Sequence, residues 1–200
     1  VLLAFAVVCL TLGIVLMAIN IYGLTQPIRK PGLGVTDQDQ LRFVPETVWS
    51  YEQSLAAIED LAGISENDRL ATEANGVVNQ SLVHIKWERL DPEEYRQLVP
   101  IWENYFLWAI GRFSGLPQFE RYHYADYRRN IRRGIGICGD ASTTMSSILD
   151  RYGVGNRIVS FDGHVIVEYE AENGERELAD PDFGVLLGVS LDDLVNSEEA

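Results

Sequence analysis

The first 24 residues are apolar almost without a break, with clearly polar side chains only at Thr11, Asn20 and Tyr22. As a helix, Val1 to Leu24 spans about 36 Å at about 1.5 Å per residue, against roughly 30 Å of bilayer hydrocarbon. A buried helix of this length in a soluble protein normally carries a polar face, and this one carries none. The pattern predicts one transmembrane helix. A signal peptide is the alternative, but its apolar region is usually about 7–15 residues long, and Gly23-Leu24-Thr25-Gln26 is a poor cleavage site. Pro27, Pro31, Gly32 and Gly34 then break the pattern, so residues 25–40 read as a linker.

From there the apolar spacing turns helical. Apolar residues at 48, 51, 55, 58 and 61 fit a period of about 3.6. Ser65-Glu66-Asn67-Asp68 resembles a capping box opening a second helix toward Trp87. Asp91-Pro92-Glu93-Glu94 has the cap, first-turn proline and acidic residues of a third, which Pro100 kinks or splits. Trp102, Tyr105, Phe106, Trp108 and Phe113 crowd this region. They are expected to pack helices against a sheet, with an aromatic wall for a substrate or partner as the alternative.

Ala141 to Tyr152 carries a further stripe at 141, 145, 148, 149 and 152, closed by Gly153. The period then falls to that of strands. Arg157 to Phe161, His164 to Tyr169 and Glu175 to Ala179 read as strands, separated by Asp162-Gly163 and Asn173-Gly174 turns. Helices followed by an antiparallel sheet give an α+β fold, with one soluble domain over residues 41–200. Val1 without an initiator Met and the polar run at Asn196 to Ala200 read as a fragment cut from a longer chain.

Net charge is −14, and every charged residue lies at or after Arg29. So acidic a soluble part repels phosphate backbones and argues against nucleic-acid binding. Arg128, Arg129, Arg132 and Arg133 stand out against it, as a solvated helix face or as a site for an anionic substrate or lipid headgroups. Arg29 and Lys30 directly after the apolar segment favour a cytoplasmic domain by the positive-inside rule, but the residues before Val1 are needed to complete that comparison.

Of two cysteines, Cys9 lies in the apolar segment and Cys138 in the soluble part, so no disulfide framework exists. His84, His123 and His164 are too scattered for metal-ligand spacing, and no loop has the Asp-rich pattern of a calcium site, so no cofactor or metal is expected. His84 and His123 show no partner pattern and are expected to be structural or surface residues.

Cys138 carries the chemistry. It stands in Gly134-Ile135-Gly136-Ile137-Cys138-Gly139-Asp140, at the start of the last predicted helix. There the helix dipole and free backbone N–H groups favour a thiolate and can hold an oxyanion. His164 follows 26 positions later at a strand start, and Asp180 16 positions after that, before Pro181. This is an order in which a nucleophile, its base and the orienter of that base can occur. A strict two-residue turn at Asn173-Gly174 places Asp180 opposite Val167, so bringing it to His164 calls for a bulge or an irregular turn. Glu168 and Asp140 are expected to support the site or face solvent.

Cys138 at a helix start, His164-x-x-x-Glu168 on a strand and Asp180-Pro181 after the next strand resemble the transglutaminase-like superfamily, over residues of about 130–185. The resemblance implies a papain-like core in which the Cys-bearing helix packs on an antiparallel sheet. It implies Cys138 as nucleophile, His164 as base and Asp180 as orienter, acting on protein or peptide-like amides through a thioester. Family members often carry Trp two residues after the His and another on the third strand; Ile166 and Arg176 stand there, and the Cys-to-His gap is short, as in divergent bacterial members. Arg132 stands at about the chain position of a second oxyanion donor. The expected product is a single-pass membrane-anchored cysteine peptidase, amidase or transamidase, and family analogy favours the extracytoplasmic side. One rival is a non-catalytic binding module of the same fold at the membrane. The other is an assembly module using the Arg128 to Arg133 face.

Overall fold

A computed structural model of the chain describes residues 2–35, 41–43, 48–85, 89–116 and 121–197. The last part of the expected linker and Trp87 lie outside the described residues. The fold is α+β, with seven α-helices and a four-stranded antiparallel sheet among the described residues. The chain packs as two units, Val1–Lys30 with Asp91–Tyr122, and Pro31–Leu90 with His123–Ala200.

In the first unit, α1 (Leu2–Leu24) is apolar along its whole length with no buried residue, long and apolar enough to cross a membrane. The expected helix from Asp91 does not form. The Asp91 carboxylate accepts from the N–H groups of Glu93 and Glu94, but the chain only turns before Arg96, whose φ of 58° takes it out of helical geometry. The second helix of this unit, α4 (Tyr105–Phe113), instead starts from Asn104, whose side chain accepts from Leu107 N–H.

The second unit contains the remaining elements. Helix α2 (Tyr51–Asp60) starts with a capping box between Ser50 and Gln53. Helix α3 (Asn67–Ser81) is not capped by Ser65: Glu172, from a distant turn, accepts from Asn67 N–H at 2.9 Å. It stops at Ser81, short of Trp87, because the chain enters a strand, β2 (Val83–Ile85). That strand pairs antiparallel with β1 (Leu41–Phe43) and parallel with β3 (Ile135–Gly136). Helix α5 (Tyr127–Arg133) ends on Gly134 at a φ of 77° and delivers the chain to β3.

Helix α6 (Cys138–Arg151) packs on a sheet ordered β4 (Asn156–Phe161), β5 (His164–Glu170), β6 (Arg176–Asp180) and β7 (Val185–Leu186). Ala141, Met145, Ile148 and Leu149 meet Val167, Tyr169 and Ala179, with α3 residues such as Val78 closing the same core. The other sheet face holds Val159, Ile166 and Leu178 against Leu191 and Leu194 of α7 (Leu191–Ser197).

Glu168 is buried on β5, where Arg157 on β4 approaches to 2.5 Å and Arg176 on β6 to 3.1 Å. Burial pushes its carboxyl up, but the two arginine hydrogen bonds together outweigh this and hold it below the ordinary value. A depressed folded value stabilises above the unfolded value of about 4.3 and is lost as pH falls through the folded one. Thermal unfolding of the full chain should therefore lose about 1–2 kcal/mol between pH 5 and acid through this residue. Glu168→Gln should flatten that limb of the profile, and an unchanged slope refutes the assignment.

Candidate functional site

Cys138 is the first residue of α6, and a network centred on Asp140 fixes its loop. Asp140 Oδ2 accepts from Ile137 N–H at 3.1 Å, and Oδ1 lies 2.9 Å from His123 Nδ1 and 3.6 Å from Arg133 Nη2. Gly136 is required here, because a Cβ on it would stand 2.7 Å from the Asp140 Cβ. Asp140 thus holds the loop that carries Cys138. Arg133 is buried with it, and burial pushes its guanidinium down from the ordinary value, against the opposing pull of Asp140.

His164 opens β5. The neighbouring Val165 carbonyl accepts from Ser142 Oγ at 2.8 Å, which ties the first turn of α6 to this strand. Asp180 ends β6. Its Oδ1 accepts from the N–H groups of Asp182 and Phe183 at 3.0 and 3.2 Å, and its Oδ2 lies 2.7 Å from His164 Nε2. One carboxylate oxygen is locked by backbone, leaving the other aimed at the imidazole.

Of the two expected devices, a bulge or an irregular turn, the chain uses the irregular turn. The connection runs Ala171 to Glu175, and the ladder pairs Val167 with Ala179 without interruption. Continuing it sets Asp180 opposite Ile166, and His164 is then the diagonal neighbour two residues along. Such neighbours lie about 7–8 Å apart at Cα, a distance that His and Asp side chains span together.

The sequence reasoning missed Asp182 and His84. Cys138 Sγ, a His164 ring nitrogen and an Asp182 carboxylate oxygen lie within 4.8 Å of one another. Scattered spacing along the chain therefore did not exclude a metal-ligating group, since the fold converges these donors. Asp182 is fully buried and paired with the Nε2 of His84, which is 2% exposed. Pairing of β2 with β3 sets His84 beside Gly136, two residues before Cys138. Phe183 lies against both imidazoles, with ring centroids 5.9 Å from His84 and 5.7 Å from His164. Helix α3 holds this loop, since Asn79 Nδ2 donates to the Asp182 carbonyl at 3.2 Å and its side chain fills the space beside Gly184.

Two signals were present in the sequence. Asp180-Pro181-Asp182 offers a second acid two residues on, and Val83-His84-Ile85 sets a histidine between β-branched residues, as in a buried strand.

The arginine run is divided by α5. Arg128 and Arg132 are exposed, Arg132 lying 5.7 Å over the Tyr51 ring, while Arg129 stacks 5.0 Å from Tyr124 and Arg133 is buried. The run is therefore not one continuous basic face.

Compared with known protein families, with curated proteins and with solved structures, the chain matches none.

Proposed function

We propose that this protein is a membrane-anchored thiol enzyme of transglutaminase-like, papain-like type, acting on amide bonds. The observation that carries the reading is the junction of three segments: a thiol at the start of α6, a histidine nitrogen within 4.8 Å of it, and Asp180 on that ring's Nε2. A helix carrying the Cys against an antiparallel sheet supports it further.

In the proposed reaction His164 Nδ1 takes the Cys138 proton, because Asp180 occupies Nε2. The thiolate attacks an amide carbonyl, and backbone N–H groups of the first turn of α6 receive the oxyanion. Collapse expels the amine with the proton from His164 and leaves a thioester on Cys138. Water or a second amine then attacks, giving up its proton to His164, and the acid or new amide leaves as the thiol reforms.

A test is acyl trapping. The full chain in detergent is mixed with p-nitrophenyl acetate and quenched in acid. An acetyl adduct on Cys138, absent from Cys138→Ser, is expected; its absence from the native chain overturns the reading.

The proximity of Asp182 favours a second reading. A thiolate and a carboxylate within 4.8 Å repel one another. A divalent cation can supply the compensating charge. Cys138, His164 and Asp182 would give zinc three protein ligands and an open position, which suits hydrolysis by a polarised water. Stoichiometric zinc in the purified chain, lost with Asp182→Ala, distinguishes that reading from the thiol mechanism.

A further inference from the structure

We propose that α4 is a second membrane contact, lying in the headgroup and acyl-chain boundary beside α1; this rests on the reading of α1 as a membrane span. Both helices belong to one packed unit. The Tyr105 hydroxyl, at the start of α4, donates to Asn20 Oδ1 at 2.7 Å and lies 3.2 Å from the Leu16 carbonyl oxygen. Leu16 and Asn20 precede the helix end at Leu24 by about 12 and 6 Å at 1.5 Å per residue. A helix of 23 residues exceeds the hydrocarbon thickness by only about 5 Å, so each end clears it by roughly 2–3 Å. The Tyr105 hydroxyl therefore stands about 4–10 Å inside the plane where hydrocarbon begins, and α4 starts from there.

The side chains suit lipid at this depth. No residue of α4 is buried. Phe106, Ile110 and Phe113, each about one turn from the next, form an outward apolar stripe, 82%, 39% and 75% exposed. A helix on a soluble domain turns such a stripe inward. Of the five aromatics expected to pack helices against a sheet, Phe106 and Phe113 face outward, whereas Trp102, Tyr105 and Trp108 are half-buried. Trp102 packs edge-on against Tyr22 at 5.7 Å and fills the space beside Gly23, an aromatic pair near the span's end of the kind enriched at bilayer interfaces. Lys30 clasps Glu94 at 3.1 Å and lies 4.4 Å over the Tyr95 ring, pinning the returning chain to the end of α1. Arg112, in the last turn, has a stem long enough to carry its charge back to the headgroups.

The test is site-directed spin labelling of the full chain in phosphatidylcholine vesicles, comparing collisions with oxygen and with a water-soluble nickel chelate. The native Cys9, in Cys138→Ser, reads α1. Phe106→Cys and Phe113→Cys, each with Cys9→Ser and Cys138→Ser, read α4, and both replace largely exposed side chains. Glu172→Cys in the same background reads a water-exposed turn. We expect oxygen to exceed nickel severalfold at both α4 sites and at Cys9, and the reverse at Glu172. Water-like values at both α4 sites with a lipid-like Cys9 overturn the α4 proposal alone. Low access to both reagents at α4 also overturns it, since a second copy or another protein then covers the stripe. A water-like Cys9 overturns the span and α4 together.

Discussion

His164→Ala will slow the labelling of Cys138 by iodoacetamide at pH 6 roughly tenfold, measured in a Cys9→Ser background so that one thiol reacts. An ordinary thiol, with a value of about 8.5, is only about 0.3% thiolate at that pH. In thiols generally, pairing with an imidazolium raises that fraction by about two orders of magnitude. A stabilised thiolate is a weaker nucleophile, however, with a Brønsted slope of about 0.4–0.5, so roughly a tenfold gain remains. Asp180→Asn should fall between native and His164→Ala, because the imidazole stays but its Nε2 loses the charged acceptor that orients it. Equal rates in all three proteins across pH would falsify the ion pair. They would return Cys138 to the status of a packed thiol in a binding module.

Asp182→Ala should produce the largest loss of stability among single changes near the site. Its carboxylate is fully buried and its partner His84 nearly so. Removing one member of a buried pair takes the compensation from the other, at a cost of about 3–5 kcal/mol. For a chain of this size that corresponds to roughly 6–20 °C in Tm, read by thermal unfolding of the full chain. The pair has a second signature. Asp182→Leu with His84→Phe removes both polar groups, so the double variant should be more stable than Asp182→Ala alone. A double variant that loses the sum of the two single effects shows that the pair does not act as a unit.

Much of this site could be read from the sequence, and particular residues show why. Cys138 at a helix start, His164 at a strand start and Asp180 at a strand end each followed from local periodicity and turn residues, and the fold joins them. The irregular turn called for between His164 and Asp180 is the loop from Ala171 to Glu175, longer than its Asn-Gly signal suggests. His84 stayed hidden because β2 is only three residues long and gains its meaning from parallel pairing with β3, some fifty residues away. No local pattern encodes such a partner. Asp91 misled for the opposite reason: its cap chemistry is present, yet the chain turns out of helical geometry at Arg96, and a cap cannot sustain a helix without continued packing. The capping box at Ser65 failed because a residue distant in sequence, Glu172, took over the role.

The parallel pairing of β2 with β3 bears on biosynthesis. The proposed site draws on Asn79 to His84, Gly136 to Asp140, and His164 to Phe183, and nearly every contact among them bridges a long stretch of chain. Contacts of this kind form late, after local helices and hairpins. During synthesis Cys138 then stands apart from its proposed partners, because neither His164 nor the Asp182 loop has yet reached it. Nucleophilic power would come into being only when the chain closes on itself, so a nascent or damaged copy stays chemically quiet.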